Sequence, residues 1–250
     1  MVRDTRHLDG SGGERDPQSE PLTYPGRPVP GTGVILGDAF HQVNAAELDG
    51  LLRVEGGVPL SERTPVLAVG SNASPAQLRR KLPAQPPRRL VLPITAVDVG
   101  NLAPGVSAHV SRPGYVPATP VAAPGETSRL VVVWLDTSQL RAMDATEPNY
   151  DRTALPADRF PVRHETGAPS ACSCEVYVSH HGCLTDRSGA VRRLEPQSVL
   201  IQSLLAGSPA LRELAGETPE SFVCVMRRDP SARQKARRLF ITEGRVSLFS

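Results

Sequence analysis

The segment Val66-Leu67-Ala68-Val69-Gly70-Ser71-Asn72, continuing into Ala73-Ser74-Pro75-Ala76-Gln77-Leu78, constrains this chain more than any other stretch. Its apolar run has the composition of a strand and breaks at a glycine, where the backbone is free to turn. A helix start follows at once. Ser74 stands at the N-cap, Pro75 at the first helical position and Gln77 three residues after the serine, the spacing of a capping box. Strand, glycine turn and helix N-terminus in succession gather several backbone N–H groups around one point, an arrangement suited to carboxylates and phosphates. Glycine turns are common, so this one gains functional meaning only from a second element of matching chemistry.

That element is Leu140-Arg141-Ala142-Met143-Asp144-Ala145-Thr146-Glu147-Pro148-Asn149-Tyr150-Asp151-Arg152. It follows the apolar run Val131-Val132-Val133-Trp134-Leu135, and Thr137 or Ser138 is expected to cap a short helix carrying Leu140, Met143 and Asp144. Glu147 then falls just past the helix, because Pro148 disfavours helical backbone at the residue before it. A carboxylate leaving a helix end into a loop is placed to face a cleft. Most lone glutamates are merely solvated, but the pattern Asp144-x-x-Glu147-x-x-Tyr150-x-Arg152-x-x-Leu155 sets this one apart.

Together the two elements resemble the γ-glutamylcyclotransferase-like family, with its Y-G-S-N type loop after the first strand and its downstream L-D-x-x-E-G and Y-x-R-x-x-V segments. The resemblance spans residues 65–190, about half of the chain. It implies an α+β fold, a mixed β-barrel-like sheet with flanking helices. It also implies a γ-glutamyl small-molecule substrate and no metal or organic cofactor.

In the implied reaction, the α-ammonium of a γ-glutamyl amide loses a proton and its nitrogen attacks the γ-carbonyl. A five-membered lactam, 5-oxoproline, closes and the amine leaves. Glu147 is the implied general base, returning the proton to the leaving amine. A carboxylate of ordinary pKa, about 4.3, is a weak base for this task, so a partly desolvated site is expected. Backbone N–H groups of Gly70, Ser71 and Asn72, next to Val69, are implied to hold the substrate carboxylate or polarise the reacting carbonyl. Holding amine and carbonyl in ring-closing geometry supplies much of the acceleration.

Tyr150 and Arg152 are implied to shape one wall of the pocket. Arg152 either pairs with a substrate carboxylate through its planar fork or neutralises Asp144 or Asp151. Gly114-Tyr115-Val116-Pro117-Ala118-Thr119-Pro120 resembles the stretch before the family's central strand. There Tyr115 lines the cavity or is buried as a core aromatic. Two positions depart from the pattern: Val69 stands where the family has tyrosine, and Pro148 where it has glycine. Both favour the alternative reading, a non-catalytic ligand-binding or interaction module of the same family.

The rest of the chain reads more plainly. Its 250 residues suffice for one large domain with extensions, and aromatics at 4% leave the core to Val, Leu and Ala. A net charge of +2 points to no polyanionic partner, and only Lys81 and Lys235 among 28 basic residues are lysine. Met1 to Gly26 lacks the apolar core of a signal peptide. No stretch approaches the roughly 18 apolar residues of a membrane span. A cytoplasmic protein with reduced thiols at Cys172, Cys174, Cys183 and Cys224 is the expectation. Cys172, Cys174, His180, His181 and Cys183 match none of the usual zinc spacings and read as buried thiols beside a polar turn. The basic run Arg227, Arg228, Arg233, Lys235, Arg237 and Arg238 has no interleaved aromatics and reads as a solvated helix face, not a nucleic-acid surface.

Residues 1–30 read as a disordered tail and 31–64 as an extension, with a strand at Val34–Leu36 and a helix from Asn44 to Leu52. Within 65–190, strands are expected at Val66–Val69, Leu90–Val99, Val106–Val110, Leu130–Leu135 and Ser173–Val178, with Pro93 marking a bulge or edge. Helices are expected at Pro75–Leu82 and Ser138–Met143. In a helical C-terminal extension over 191–250 they are expected at Gln197–Leu205, Leu211–Leu214 and Ala232–Leu239.

Overall fold

The computed structural model describes residues 16–82, 89–165 and 173–249. Cys172 and the first 15 residues of the expected tail lie outside them. The chain divides into two units. Among the described residues, the first holds Arg27–Ala103 and Ala123–Tyr177, and the second holds 16–26, Pro104–Ala122 and 178–249.

The first unit is a large mixed sheet with helices. Strands β1 (Gly33–Leu36) and β2 (Ala39–Gln42) form a hairpin. Its two-residue turn starts at Gly37, whose φ of 59° is the left-handed value that tight hairpin turns demand. Asn44 and Glu47 then exchange side-chain and backbone bonds in a capping box ahead of α1 (Leu48–Val54). The remaining elements are β3 (Thr64–Ala68), α2 (Pro75–Lys81), β4 (Val91–Val106), β5 (Ala118–Leu135), α3 (Thr137–Ala145), β6 (Tyr150–Ala154), β7 (Val162–His164) and β8 (Glu175–Ser179). The sheet order is β2-β1-β4-β5-β3-β8-β6, with β7 on β4. β3 pairs antiparallel with β5 and parallel with β8, which makes the sheet mixed.

Alternation places Val66 and Ala68 of β3 with Val131, Val133 and Leu135 of β5 in one core, where Leu78 of α2 and Met143 of α3 join them. Leu67, Val132 and Trp134, on the opposite face, are also buried. Central strands covered on both faces read as unbroken apolar runs, as β3 and β5 do.

Several expectations are corrected. The sheet is an open path ending at β2 and β6; no closed barrel forms among the described residues. Residues 16–30 are ordered rather than a tail: Pro21–Thr23 make a 3-10 turn, and Tyr24 and Val29 are buried. Their aromatic and aliphatic side chains outweigh the local proline content. Pro93 is neither at an edge nor at a bulge on the β1 side, since β4 is interior and the register runs one-for-one from Leu36↔Val91 to Gly33↔Ile94. Ser74 occupies the N-cap of α2 but makes no side-chain cap bond; Gln77 Oε1 accepts from Arg80 Nη2 at 2.5 Å. The cap of α3 is Asp136, not Thr137 or Ser138.

The second unit has a core of its own, so residues 191–250 are more than an extension. Helices α4 (Gln197–Gly207), α5 (Pro209–Ala215), α6 (Pro219–Arg228) and α7 (Pro230–Thr242) close it, with β9 (Cys183–Leu184) paired to β10 (Val246–Ser247). Leu200, Leu204, Leu211, Phe222, Met226, Ala236 and Phe240 meet in one cluster. Helices α5, α6 and α7 each begin with proline after a capping side chain, Ser208, Thr218 or Asp229, which accepts a first-turn N–H. Ala232, Ala236 and Phe240 form the buried stripe of α7. Arg227, Arg228, Lys235, Arg237 and Arg238 are exposed, and Arg233 donates to the Met226 carbonyl at 2.5 Å.

The buried Gln197 amide bonds both the N–H and the C=O of Val116, each at 2.9 Å, in the manner of a neighbouring strand. Ser107 Oγ lies 2.6 Å from His109 Nδ1 and 2.7 Å from Ser179 Oγ, all three side chains buried. Burial, reinforced by the nearby charges of His181, Arg237 and His180, lowers the His109 pKa to about 3. Among the described residues, no helix is long and apolar enough to cross a membrane.

Candidate active site

Glu147 is aimed by the end of α3. The Asp136 carboxylate accepts the N–H groups of Ser138 and Gln139, both at 2.9 Å, and Gln139 Oε1 accepts the Asp136 N–H at 3.1 Å. Both ends of that capping box are satisfied, which fixes where the helix starts. Nine residues later Thr146 closes α3, and Glu147 lies outside it. The Tyr150 N–H returns to the Glu147 carbonyl at 3.0 Å, a β-turn with Pro148 in its second position, where the ring fixes the φ required. Proline here builds the turn that points Glu147.

On the other element, the glycine loop winds into a 3-10 turn over Ser71–Ala73 with Gly70 as its N-cap. The N–H groups of Ala73 and Ser74 close it on the carbonyls of Gly70 and Ser71, at 3.0 and 2.9 Å. The turn presents the Asn72 side chain. Asn72 Nδ2 donates to Glu147 Oε1 at 2.9 Å, across 75 residues of chain. Lys81, the last residue of α2, completes a ring. Its Nζ donates to Glu147 Oε1 at 2.5 Å and to Asn72 Oδ1 at 2.8 Å. The Lys81 and Glu147 side chains are each 11% exposed, so the ion pair is largely shielded from solvent. Only one orientation of the Asn72 amide turns its donor to the carboxylate and its acceptor to the ammonium, so the ring fixes that amide.

Beside this ring, Arg152 is engaged by the protein itself. Its fork bonds Asp144 twice, at 2.8 and 3.0 Å, and reaches Glu175 as well. Arg152 thus neutralises Asp144 within the protein. The Arg152 bond, with help from the Tyr177 hydroxyl at 2.7 Å, holds the Asp144 carboxyl below the usual carboxylate range. Asp144 and Glu175 in turn raise Arg152. Burial, and then the bond to Asp144, pushes the Tyr177 hydroxyl up.

Of the expected site residues, Asn72 and Glu147 are brought together. Val69 and Gly70, between β3 and the 3-10 turn, and Ser71, the first residue of that turn, are partly buried, and Tyr150 packs against the first unit's core. Tyr115 belongs to the second unit. It is 8% exposed, its ring stacks on Tyr24 with centroids 4.2 Å apart, and its hydroxyl accepts from Gln18 at 3.3 Å. Its surroundings there are those of a core aromatic.

Lys81, Glu175 and Tyr177 complete the arrangement without standing in either motif. One signal for Lys81 was available, since lysine is rare in this chain and this one ends the helix that the glycine loop begins. Cys174 and Cys183 are buried, and burial pushes the Cys174 thiol up to about 11. Cys183 Sγ lies 3.3 Å from the Ser247 carbonyl oxygen. Gly182, in the turn after His180 and His181, has a φ of 75°, and a Cβ there would stand 2.5 Å from that same oxygen. No group of three or more metal-ligating side chains converges among the described residues.

No protein-family model matches this sequence, and no curated protein does. Solved structures similar to it include a gamma-glutamyl cyclotransferase at 13% identity and an ensemble refinement of an uncharacterized human protein at 14%. Each match covers 75% of this chain and 89% of the other, with a TM-score of 0.38. A likeness at that score carries no argument about activity, and the functional case rests on the side chains.

Proposed function

We infer that the protein closes the lactam ring of a γ-glutamyl amine or peptide, releasing 5-oxoproline, with Glu147 as the general base. One observation carries the reading: the two motif-bearing elements, distant in sequence, meet at the Asn72–Glu147 bond of 2.9 Å. The Glu147 side chain is 11% exposed, within hydrogen-bond reach of an ammonium, that of Lys81.

The substrate's α-ammonium docks on Glu147 and gives up one proton to it. The freed nitrogen pair attacks the γ-carbon, and the carbonyl π pair moves onto oxygen. Backbone N–H groups of the Gly70–Asn72 loop are suited to receive that developing charge. As the carbonyl re-forms, the C–N bond to the leaving amine breaks and Glu147 delivers its proton to that nitrogen. Glu147 then takes the second proton from the ring nitrogen and passes it to the amine, which departs as an ammonium ion. Base, acid and products balance with no further reactant.

A second reading is favoured by the Lys81–Glu147 pair, together with Val69 and Pro148 in place of the family's tyrosine and glycine. In that reading the chain is a ligand-binding module that has lost turnover. Release of 5-oxoproline from a panel of γ-glutamyl dipeptides and amines, with wild type and Glu147→Gln compared, separates the two. Turnover by wild type, reduced about a hundredfold or more in Glu147→Gln with folding retained, is the expected result. Equal activity in the variant sinks the mechanism. Silence from both, with γ-glutamyl compounds still bound, establishes the second reading.

A further inference from the structure

We propose that Lys81 is an internal competitor for the amine position of this site: its ammonium occupies the place a ligand's primary ammonium takes, and the ligand enters by displacing it. The geometry is that of a ligand in a subsite. Lys81 Nζ touches two groups, a carboxylate oxygen at 2.5 Å and an amide oxygen at 2.8 Å, both acceptors, and its side chain is 11% exposed. An α-ammonium presents the same charge and the same N–H donors to the same two acceptors.

Exchange is favoured over simple addition. One carboxylate balances one cation, and a second ammonium in a half-buried site is opposed by the first. The choice of residue agrees. Only two of the chain's 28 basic residues are lysine, so arginine is its default cation. A lysine is a point charge on a flexible four-carbon stem, whereas arginine's planar fork grips a carboxylate bidentately. Where a cation must release its partner, lysine is the fitting choice. Lys81 also ends α2, with Leu82 already outside the helix at φ −122° and ψ 65°, so its stem leaves from a helix terminus rather than a helix interior.

This inference rests on the γ-glutamyl reading for the identity of the ligand, but not for the existence of the ammonium subsite. The test therefore has two arms on the full-length protein. In the first, binding of γ-L-glutamyl-L-alanine and of glutaryl-L-alanine, which lacks the α-amine, is measured calorimetrically for wild type, Lys81→Met and Lys81→Arg. Lys81→Met is expected to bind the amine-bearing compound about tenfold tighter, as when the competent fraction rises from about a tenth to unity. Lys81→Arg, with a stronger internal plug, is expected to bind it more weakly than wild type. Glutaryl-L-alanine should distinguish none of the three. Weaker binding of both compounds by Lys81→Met would make Lys81 a ligand contact and overturn the proposal.

The second arm needs no γ-glutamyl compound. Lys81→Ala deletes three methylenes and an ammonium, and n-propylammonium replaces that group of atoms. Its addition should raise the Tm of Lys81→Ala and leave wild type unmoved, while tetramethylammonium at equal ionic strength, with no N–H to donate, does neither. A selective rise sustains the ammonium subsite even if γ-glutamyl compounds fail to bind, in which case only the substrate reading falls. Absence of a selective rise in Lys81→Ala overturns the subsite and with it the competitor role.

Discussion

Asn72 uses the two ends of one amide on opposite charges, giving its N–H to Glu147 and its oxygen to Lys81. Removing it leaves two partly buried charged groups each short of a bond, at a cost of about 1–3 kcal/mol. Because Glu147 shares that bond, the losses from Asn72→Ala and Glu147→Gln should not add. A double-mutant cycle on urea midpoints is expected to show a coupling of about 1 kcal/mol, and additivity would mean that the ring does not persist in solution. The Asp144 group makes a different prediction. Its folded pKa lies below the unfolded value of about 3.9, so its contribution is present above that pH and lost as acid carries it through the folded value. Tyr177 has a raised pKa, so its contribution is present below the unfolded value of about 10 and lost as the pH rises beyond it. Wild type should therefore lose stability between pH 9 and pH 11, and Tyr177→Phe should lose less over the same interval when urea midpoints are compared. An equal loss would place the alkaline-sensitive group elsewhere.

At the scale of elements, α3 matters because its N-cap sets where its C-terminal end delivers Glu147. Asp136 satisfies two first-turn N–H groups, so Asp136→Ala should cost about 1 kcal/mol in thermal or urea unfolding, while Thr137→Ala should cost little. Equal losses would remove Asp136 from the cap. The true cap shows which parts of this fold the sequence discloses. The helix itself was legible from Leu140, Met143 and the Pro148 stop, and its exit at Glu147 was legible for the same reason. Its start was not, because Asp136, Thr137 and Ser138 are all competent caps and only the register of the preceding strand chooses among them. β3 was legible as an apolar run ending in glycine. The long β4 was not, since Gly100, Pro104 and Gly105 imitate the end of a strand that continues to Val106. Helix α6 was missed behind its own start signals, Thr218-Pro219, although Phe222 and Met226 stand at helical spacing. In the site, Glu147 and Asn72 were legible through motif chemistry. Tyr177 was not, because its role comes from where a neighbouring strand places it, and for Lys81 only its rarity as a lysine at the end of α2 gave a signal.

For the whole molecule, pH is the variable that its buried polar groups control. The second unit buries His109 beside Ser107 and Ser179, with the His181 ring 4.5 Å away between centroids. Protonation there would bury a charge that faces His180, His181 and Arg237, all cationic or able to become so. The sign follows from the direction of the shift. The folded pKa of about 3 lies below the unfolded value of about 6.5, so the unfolded chain binds the proton first. The stabilising contribution is complete above about pH 6.5 and is lost progressively as the pH falls from there toward the folded value. His164 and His181 are also held below the usual imidazole range, mainly by burial, and add to the loss over the same interval. Urea midpoints for wild type should therefore fall from pH 7 to pH 5.5. In His109→Phe, which retains a ring of similar breadth without a titratable nitrogen, the fall should be clearly smaller, even if the variant is less stable at pH 7 for want of the Ser107 contact. Comparing the difference between two pH values within each protein separates the titration from that packing loss, and an unchanged difference would show that some other histidine governs acid unfolding.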